Sequence, residues 1–169
     1  MLARRVGPDG KIVNSLVSTV PTTEVAPPTP LRPAGHEAVR RSGDLLSEDS
    51  VKAAVKAYLE GAGWSVTVAW GRNHGVDIEA HRGREHLYLE AKGEAGNPAQ
   101  QANYFIGALG ELVQRLRDPT AKYGLALPDN PQFRRLAERL PPLAHERLNL
   151  VVMFVDRQDK STITLLQKD

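Results

Sequence analysis

The 169-residue sequence predicts an α/β fold in which helices flank a mixed central sheet. Apolar residues recur at helical spacing after Ser47, then alternate along three consecutive segments, and return to helical spacing after Pro98. The second and third alternating segments are joined only by Arg82-Gly83-Arg84, which indicates an antiparallel hairpin. The predicted order of elements is therefore α-β-β-β-α-β-α-β-β, an arrangement of two helical layers around one sheet.

The first half of this order is predicted from caps and periodicity. Ser47 is a suitable N-cap for the first helix, and Gly61 and Gly63 end it. Three strands follow over residues 64–70, 76–81 and 85–92. The second helix begins at Pro98, and its predicted buried stripe consists of Ala102, Ile106, Leu109, Val113 and Leu116.

The second half begins with a short apolar strand over residues 122–127. Asn130 caps a third helix whose first turn holds Pro131, and Pro141-Pro142 is predicted to close that helix. Residues 148–155 and 162–166 are predicted as the last two strands.

Residues 1–43 differ in composition from residues 44–169, and we expect two regions. The first region holds six of the twelve prolines, so it is predicted to be a disordered or extended arm. The second region is predicted to be the globular domain. Residues 1–41 carry a net charge of +3 and the remainder −1, so the domain itself is not a strongly basic nucleic-acid binder.

Composition also excludes several classes of protein. No apolar run approaches the roughly 20 residues of a membrane helix, and no apolar segment follows Arg4 and Arg5 as in a secretory signal. The sequence has no cysteine, which excludes disulfides, thiol nucleophiles and thiolate zinc sites. We therefore expect a cytoplasmic protein without membrane partners.

Acidic and basic residues share one face of the two hairpin strands. Because strand side chains alternate between faces, Glu90 and Lys92 point the same way at the end of their strand. Asp77 occupies the matching face of the preceding strand, and hairpin pairing can bring it beside Glu90. Two carboxylates and a lysine are costly to assemble unless a cation or a substrate compensates them.

This residue set is suited to phosphodiester hydrolysis. Carboxylate oxygens are ligands that Mg²⁺ prefers, and a bound Mg²⁺ keeps waters and contacts phosphate oxygens. A neighbouring lysine can orient the attacking water and stabilise negative charge. Asp77, Glu90 and Lys92 are therefore the candidate catalytic residues.

Gly75-Val76-Asp77-Ile78, followed by Glu90-Ala91-Lys92, resembles the PD-(D/E)xK nuclease superfamily with its restriction-endonuclease-like fold. The likeness covers about residues 44–127 and is greatest to the Mrr-like and Holliday-junction-resolvase-like branches. It implies an αβββαβ core in which Asp77, Glu90 and the backbone carbonyl of Ala91 bind Mg²⁺, with Lys92 at the water. Valine stands at position 76 where that family often has proline.

Three supporting residues follow from the same resemblance. The family often has a glutamate in the first helix, and Glu48 is the best match here, about one turn further from Gly63 than expected. Gln100 and Tyr104, at i and i+4, resemble the Gln-x-x-x-Tyr pair of RecB-like nucleases, which helps to position the site and the nucleic acid.

The leading hypothesis is a Mg²⁺-dependent endonuclease, with Mn²⁺ as a substitute metal, that cleaves DNA in restriction, defence or repair. The alternative is a protein of the same fold that binds nucleic acid or a protein partner without cleavage. Intact Asp77, Glu90 and Lys92 favour the enzyme. The near-neutral domain favours dependence on a partner, either a second copy or another protein.

Overall fold

The computed structural model describes residues 4–6, 12–14, 45–71 and 75–166, and the chain divides into units of residues 1–37 and 38–169. In the first unit, β1 (Arg4–Val6) and β2 (Ile12–Asn14) pair in antiparallel fashion. The rest of the predicted arm lies outside the described residues.

The second unit opens with α1 (Glu48–Gly61). The hydroxyl of Ser47 accepts a hydrogen bond from the backbone N–H of Ser50, as predicted for an N-cap. Gly63 follows the helix with a φ of 82°, a backbone conformation that glycine adopts without strain. Helix α1 therefore begins and ends where its capping residues place it.

Six strands form one mixed sheet in the order β3-β4-β5-β6-β7-β8. Strands β5, β6 and β7 are mutually parallel, and the other neighbours are antiparallel. The strand bounds are β3 (Ser65–Val68), β4 (Ile78–Arg82), β5 (Glu85–Ala91), β6 (Lys122–Pro128), β7 (Leu150–Val155) and β8 (Ile163–Leu165).

The sheet separates two apolar cores. One face packs against α1 through Leu87, Leu89 and Ala91 of β5. The other face is covered by α2 (Pro98–Gln114) and α3 (Pro131–Glu138), whose Phe105 and Phe133 lie in the second core. This confirms the predicted α/β architecture, including the αβββαβ order of the first six elements of the domain and the helices on both faces.

The buried stripe of α2 was predicted incorrectly. Phe105, Ala108 and Leu112 are buried together with Gln101. Ile106 and Val113, from the predicted stripe, are 63% and 52% exposed. The helix has two apolar faces about 100° apart, and only one can lie on the sheet.

The region after α3 also differs from the prediction. Pro142 opens a separate short helix, α4 (Pro142–Leu148), instead of closing α3. Proline suits the first turn of a helix because the N–H that it lacks has no helical partner there. Asn149 then adopts a left-handed conformation with φ of 45°, and β7 begins at Leu150 instead of residue 148. None of the helices within the described residues is long and apolar enough to cross a bilayer.

Candidate functional site

Asp77 is held against the end of β5. It immediately precedes β4, and its Oδ2 accepts a hydrogen bond from the Ala91 N–H at 2.9 Å. The N–H of Lys92 points the opposite way, to the Ala126 carbonyl on β6. Because the N–H and C=O of one strand residue point to the same side, the Ala91 carbonyl also faces Asp77.

The carboxyl groups of Asp77 and Glu90 are neighbours. Burial, the nearby charge of Asp77 and a hydrogen bond between the two carboxyls together raise the pKa of Glu90 to about 7, while Arg115 opposes the shift. Glu90 is only 1% exposed. The structure thus brings two of the predicted residues together in a place where two negative charges are costly without a cation.

Lys52 supplies one of the compensating cations. Its ammonium lies 2.7 Å from Asp77 Oδ1 and 2.8 Å from Glu48 Oε1, and it donates to the Ala69 carbonyl at 2.9 Å. Lys52 is 1% exposed, although it belongs to α1 and its side chain is charged. Burial alone would lower its pKa, but the hydrogen bonds to Asp77 and Glu48 outweigh burial and raise it. Lys52 and the Ala91 N–H together fix both oxygens of Asp77.

Arg115 supplies the other cation. The residue caps the C-terminus of α2, and its Nε contacts Glu90 Oε1. Its Nη2 donates to the Gly75 carbonyl at 2.5 Å, in the segment that leads to β4. Each of the two candidate metal-binding carboxylates is therefore paired with one cation.

Lys92 lies on the same side of the β5 chain as Glu90, and its ammonium already has a partner. Its ammonium pairs with Glu111 of α2 at 2.8 Å. Burial by itself lowers the pKa of Lys92, but the hydrogen bond and charge of Glu111, with smaller contributions from Asp77 and Glu48, raise it overall. Lys92 is therefore a protonated cation at neutral pH.

Two of the three supporting residues predicted from the resemblance, Glu48 and Tyr104, line the cavity that Lys92 also lines. Glu48 reaches Asp77 through Lys52, which lies between them. Gln100 Nε2 donates to the Tyr104 hydroxyl at 3.0 Å, so this pair forms a unit on α2. Glu48, Lys92, Tyr104 and Glu111 line one cavity of about 460 Å³.

Sequence reasoning missed Lys52, Glu111 and Arg115. A signal for Lys52 exists in the sequence, because Glu48 and Lys52 are four residues apart within the arc that Val51 and Val55 bury. Charged residues inside a buried arc indicate a polar partner on the facing element. No comparable signal marks Arg115, whose partner Glu90 is 25 residues away.

The donor set fits Mg²⁺. Two adjoining carboxylates and one carbonyl are hard oxygen ligands, and Mg²⁺ commonly takes one or two carboxylates and keeps its waters. Within residues 45–71 and 75–166, no three His, Asp or Glu side chains are grouped to hold a metal. A site built from Asp77, Glu90 and Ala91 would therefore depend on water and substrate oxygens for its remaining ligands.

Comparisons with known proteins give structural likeness alone. No protein-family model matches the chain, and no curated protein matches it significantly in sequence. The crystal structure of an XisH family protein from Nostoc punctiforme is 22% identical over 70% of this chain and all of that chain, with a TM-score of 0.49. An fdxN element excision controlling factor protein from Anabaena variabilis is 20% identical over 69% of this chain and 96% of that chain, with a TM-score of 0.47. Neither likeness assigns a role to any residue here.

Proposed function

We propose that residues 44–169 form a Mg²⁺-dependent nuclease of the PD-(D/E)xK type that hydrolyses phosphodiester bonds in DNA. The observation that carries this proposal is the contact between the Asp77 and Glu90 carboxyls at the ends of two neighbouring strands, with Lys92 on the same side. Buried like charges are retained at functional sites when a ligand compensates them. Mn²⁺ is expected to substitute for Mg²⁺.

In this proposal the metal ligands are Asp77, Glu90 and the Ala91 carbonyl. Bound Mg²⁺ would lower the pKa of a coordinated water and offset the charge that develops on phosphate oxygens. Lys52 and the Ala91 N–H keep Asp77 in one orientation, so little rearrangement of that carboxylate is needed.

Lys92 has a distinct role in the proposal. Since its pKa is raised, it stays charged and acts as a hydrogen-bond donor instead of a general base. Released from Glu111, its ammonium would orient the attacking water and stabilise the negative charge of the phosphoryl oxygens. The exposed Glu111 carboxylate can turn into solvent when it loses this partner, because 46% of its side chain is accessible.

The second candidate function is nucleic-acid or protein binding without cleavage. One observation favours it: Asp77, Glu90 and Lys92 each have an oppositely charged partner within the chain. A site whose charges are balanced internally can be retained for structure alone. The two candidates differ in whether the protein cuts DNA.

A cleavage assay separates them. Wild type, Asp77→Asn and Lys92→Ala are incubated with supercoiled plasmid and with single-stranded DNA in Mg²⁺, Mn²⁺ or EDTA. Lys122→Ala is a matched control, because Lys122 also pairs with a glutamate but lies at the other end of β5–β6, beside Glu85. We expect metal-dependent cleavage by wild type and the control, and a loss of roughly a hundredfold or more in both site variants.

Thermal unfolding measures metal binding in a parallel experiment. Mg²⁺ should stabilise wild type and Lys92→Ala, since a ligand of the native state shifts unfolding by mass action, and should not stabilise Asp77→Asn. The non-cleaving function would be favoured if DNA stays intact with every metal and the melting temperature does not change in millimolar Mg²⁺ or Mn²⁺.

A further inference from the structure

Helix α2 presents a charge pair that is complementary to the charge pair of β5. Glu111 and Arg115 are four residues apart on the helix, and Glu90 and Lys92 are two residues apart on the chain at the end of β5. The contacts connect opposite charges across the two elements, Arg115 with Glu90 and Lys92 with Glu111. One turn of one helix therefore engages two of the three candidate catalytic residues.

Arg115 contacts the carboxylate of Glu90, which a bound metal ion would also need. Glu90 is almost completely buried, and the guanidinium of Arg115 contacts its Oε1 while also holding the Gly75 carbonyl. A cation bound by Asp77 and Glu90 together would need the Glu90 carboxylate that Arg115 now neutralises. Arg115 and a metal ion would thus supply the same positive charge to the same group.

The structure has open space beside Arg115 into which its guanidinium could move. A cavity of about 510 Å³ is lined by Arg115 together with Gly75, Tyr88, Gln114 and Arg117. About 30% of the Arg115 side chain is already accessible. Its guanidinium can therefore leave Glu90 by rotation of a long side chain, without repacking Phe105 or Leu112 in the core below.

Lys52 does not offer the same freedom. Its ammonium is enclosed among Asp77, Glu48 and the Ala69 carbonyl, and the residue is 1% exposed. The two cations of the site are therefore unequal, one fixed beside Asp77 and the other movable beside Glu90.

We propose that Arg115 is an exchangeable counter-ion of Glu90, a positioning residue that holds this carboxylate in the metal-free protein and gives it up when Mg²⁺ binds. The inference rests on the proposed function and deepens it, because it names the group that sets the metal affinity. Arg115 acts on the metal ligand and is distinct from the residues that would contact the reacting phosphate.

Mg²⁺ binding measured by calorimetry tests the exchange. Wild type is compared with Arg115→Gln and Arg115→Lys, at about pH 8 so that the carboxylates are ionised. Arg117→Gln is the matched control, since Arg117 lines the same cavity but does not contact Glu90. We expect Arg115→Gln to bind Mg²⁺ roughly tenfold more tightly, Arg115→Lys to be intermediate, and the control to match wild type.

A second readout follows the guanidinium itself. In wild type, the Arg115 Nε–H signal in nitrogen-resolved NMR should be protected from solvent exchange by its contact with Glu90, and Mg²⁺ titration should abolish that protection. Correlation of the Nε–H signal with the other side-chain and backbone signals of Arg115 assigns it in wild type, without a variant. This measurement remains informative if the variant is too unstable for calorimetry.

The outcomes distinguish the two proposals. Mg²⁺ binding by wild type with equal or weaker binding by Arg115→Gln, or protection of Nε–H that persists at saturating Mg²⁺, overturns the exchange and leaves the nuclease proposal standing. Absence of Mg²⁺ binding in wild type and in both Arg115 variants overturns both proposals.

Discussion

The charged side chain of Lys52 is buried in contact with its partners. Its three partners, Asp77, Glu48 and the Ala69 carbonyl, satisfy the ammonium group while the surrounding residues Val51 and Val55 are fully buried. A buried charge is tolerated when it is paired and hydrogen-bonded. The same pairing holds Asp77, so the lysine links stability to the geometry of the candidate site.

The first prediction concerns Lys52→Met. The change leaves Asp77 partly buried without its cation, so the free energy of unfolding should fall by about 3–5 kcal/mol in chemical denaturation. Lys56→Met is the matched control, because Lys56 pairs with Glu60 on the exposed side of the same helix and should cost about 0–1 kcal/mol. Adding Asp77→Asn to Lys52→Met should recover part of the loss. Equal stability of the two lysine variants would contradict a supporting role for Lys52.

The second prediction concerns pH and Glu90. The pKa of Glu90 is about 7 in the folded protein, where burial and then Asp77 disfavour the charged form, and it returns to its ordinary value of 4.5 when the chain unfolds. Between these values the folded state holds a proton that the unfolded state has lost, so this contribution to stability is present at low pH and disappears as pH rises through about 7. The change should be on the order of 1–3 kcal/mol.

Glu90→Gln supplies the comparison for that prediction. Melting temperatures of wild type and variant are measured from about pH 5 to pH 8 without divalent metal. The wild-type values should fall relative to those of the variant up to about pH 7 and then keep a constant difference from them. Parallel curves for the two proteins would show that Glu90 does not titrate in this range.

At the scale of elements, the position of α1 depends on the loop that follows β5. A Cβ on Gly93 would lie 2.6 Å from the Glu48 nitrogen and 2.9 Å from the Leu46 carbonyl oxygen. The next residue, Glu94, donates its backbone N–H to the same Leu46 carbonyl at 2.8 Å. The side-chain Oε2 of Glu94 accepts a hydrogen bond from the Leu46 N–H. The end of β5 and the start of α1 are thus in direct backbone contact.

The third prediction is that Gly93→Ala forces these elements apart. The free energy of unfolding should fall by about 1–3 kcal/mol, since the close neighbours are backbone atoms that cannot rotate away. NMR should show shifted amide signals for Glu48 and Lys52, whose helix would move. Gly96→Ala is the control in the same loop, because a Cβ there meets nothing within 4 Å. Similar stability and spectra for both variants would mean that the contact at Gly93 can relax.

The strands could be predicted from sequence more reliably than the helix faces. Apolar residues alternate with polar ones along β4 and β5, and this pattern allows only one orientation of each strand. The apolar residue at every second position fixes which side of the strand faces the core. Helix α2 carries Phe105 and Leu112 on one side and Ile106 and Val113 on another, and periodicity alone does not decide between them. The choice depends on packing against β6 and α3, which is long-range information.

At the scale of the molecule, the sequence predicts two regions of different character. Residues 1–43 hold six prolines and scattered apolar residues, a composition typical of a disordered or extended segment, whereas the sheet and helices beyond residue 44 enclose two apolar cores. The proximity of the Asp77 and Glu90 carboxyls was predictable because Asp77 immediately precedes β4 and Glu90 lies on the neighbouring β5. Which cations pair with them was not predictable. The Glu48–Lys52 spacing marks Lys52 without identifying Asp77 as its partner, and Arg115 reaches Glu90 from the end of a helix 25 residues further along the chain.

The fourth prediction is that limited trypsin digestion removes residues 1–43 and leaves a folded domain. Arg40 and Arg41 offer cleavage sites at the boundary, whereas Arg32 is followed by Pro33 and should resist. Mass spectrometry should identify a stable product that begins near Ser42, and its circular dichroism should retain the helices and strands of the domain. A full-length chain that resists digestion as long as the domain does would contradict this division.

The two ion pairs between β5 and α2, Glu90 with Arg115 and Lys92 with Glu111, also affect how DNA would reach the site. Alternating charges that cancel in pairs produce an electric field that decays much faster with distance than the field of a net charge. Residues 42–169 carry 16 basic and 17 acidic residues, so no excess charge restores a long-range attraction. Encounter of the domain alone, without residues 1–41, with a polyanion should then proceed without steering, at about 10⁵–10⁶ M⁻¹s⁻¹ and with little dependence of the association rate on salt.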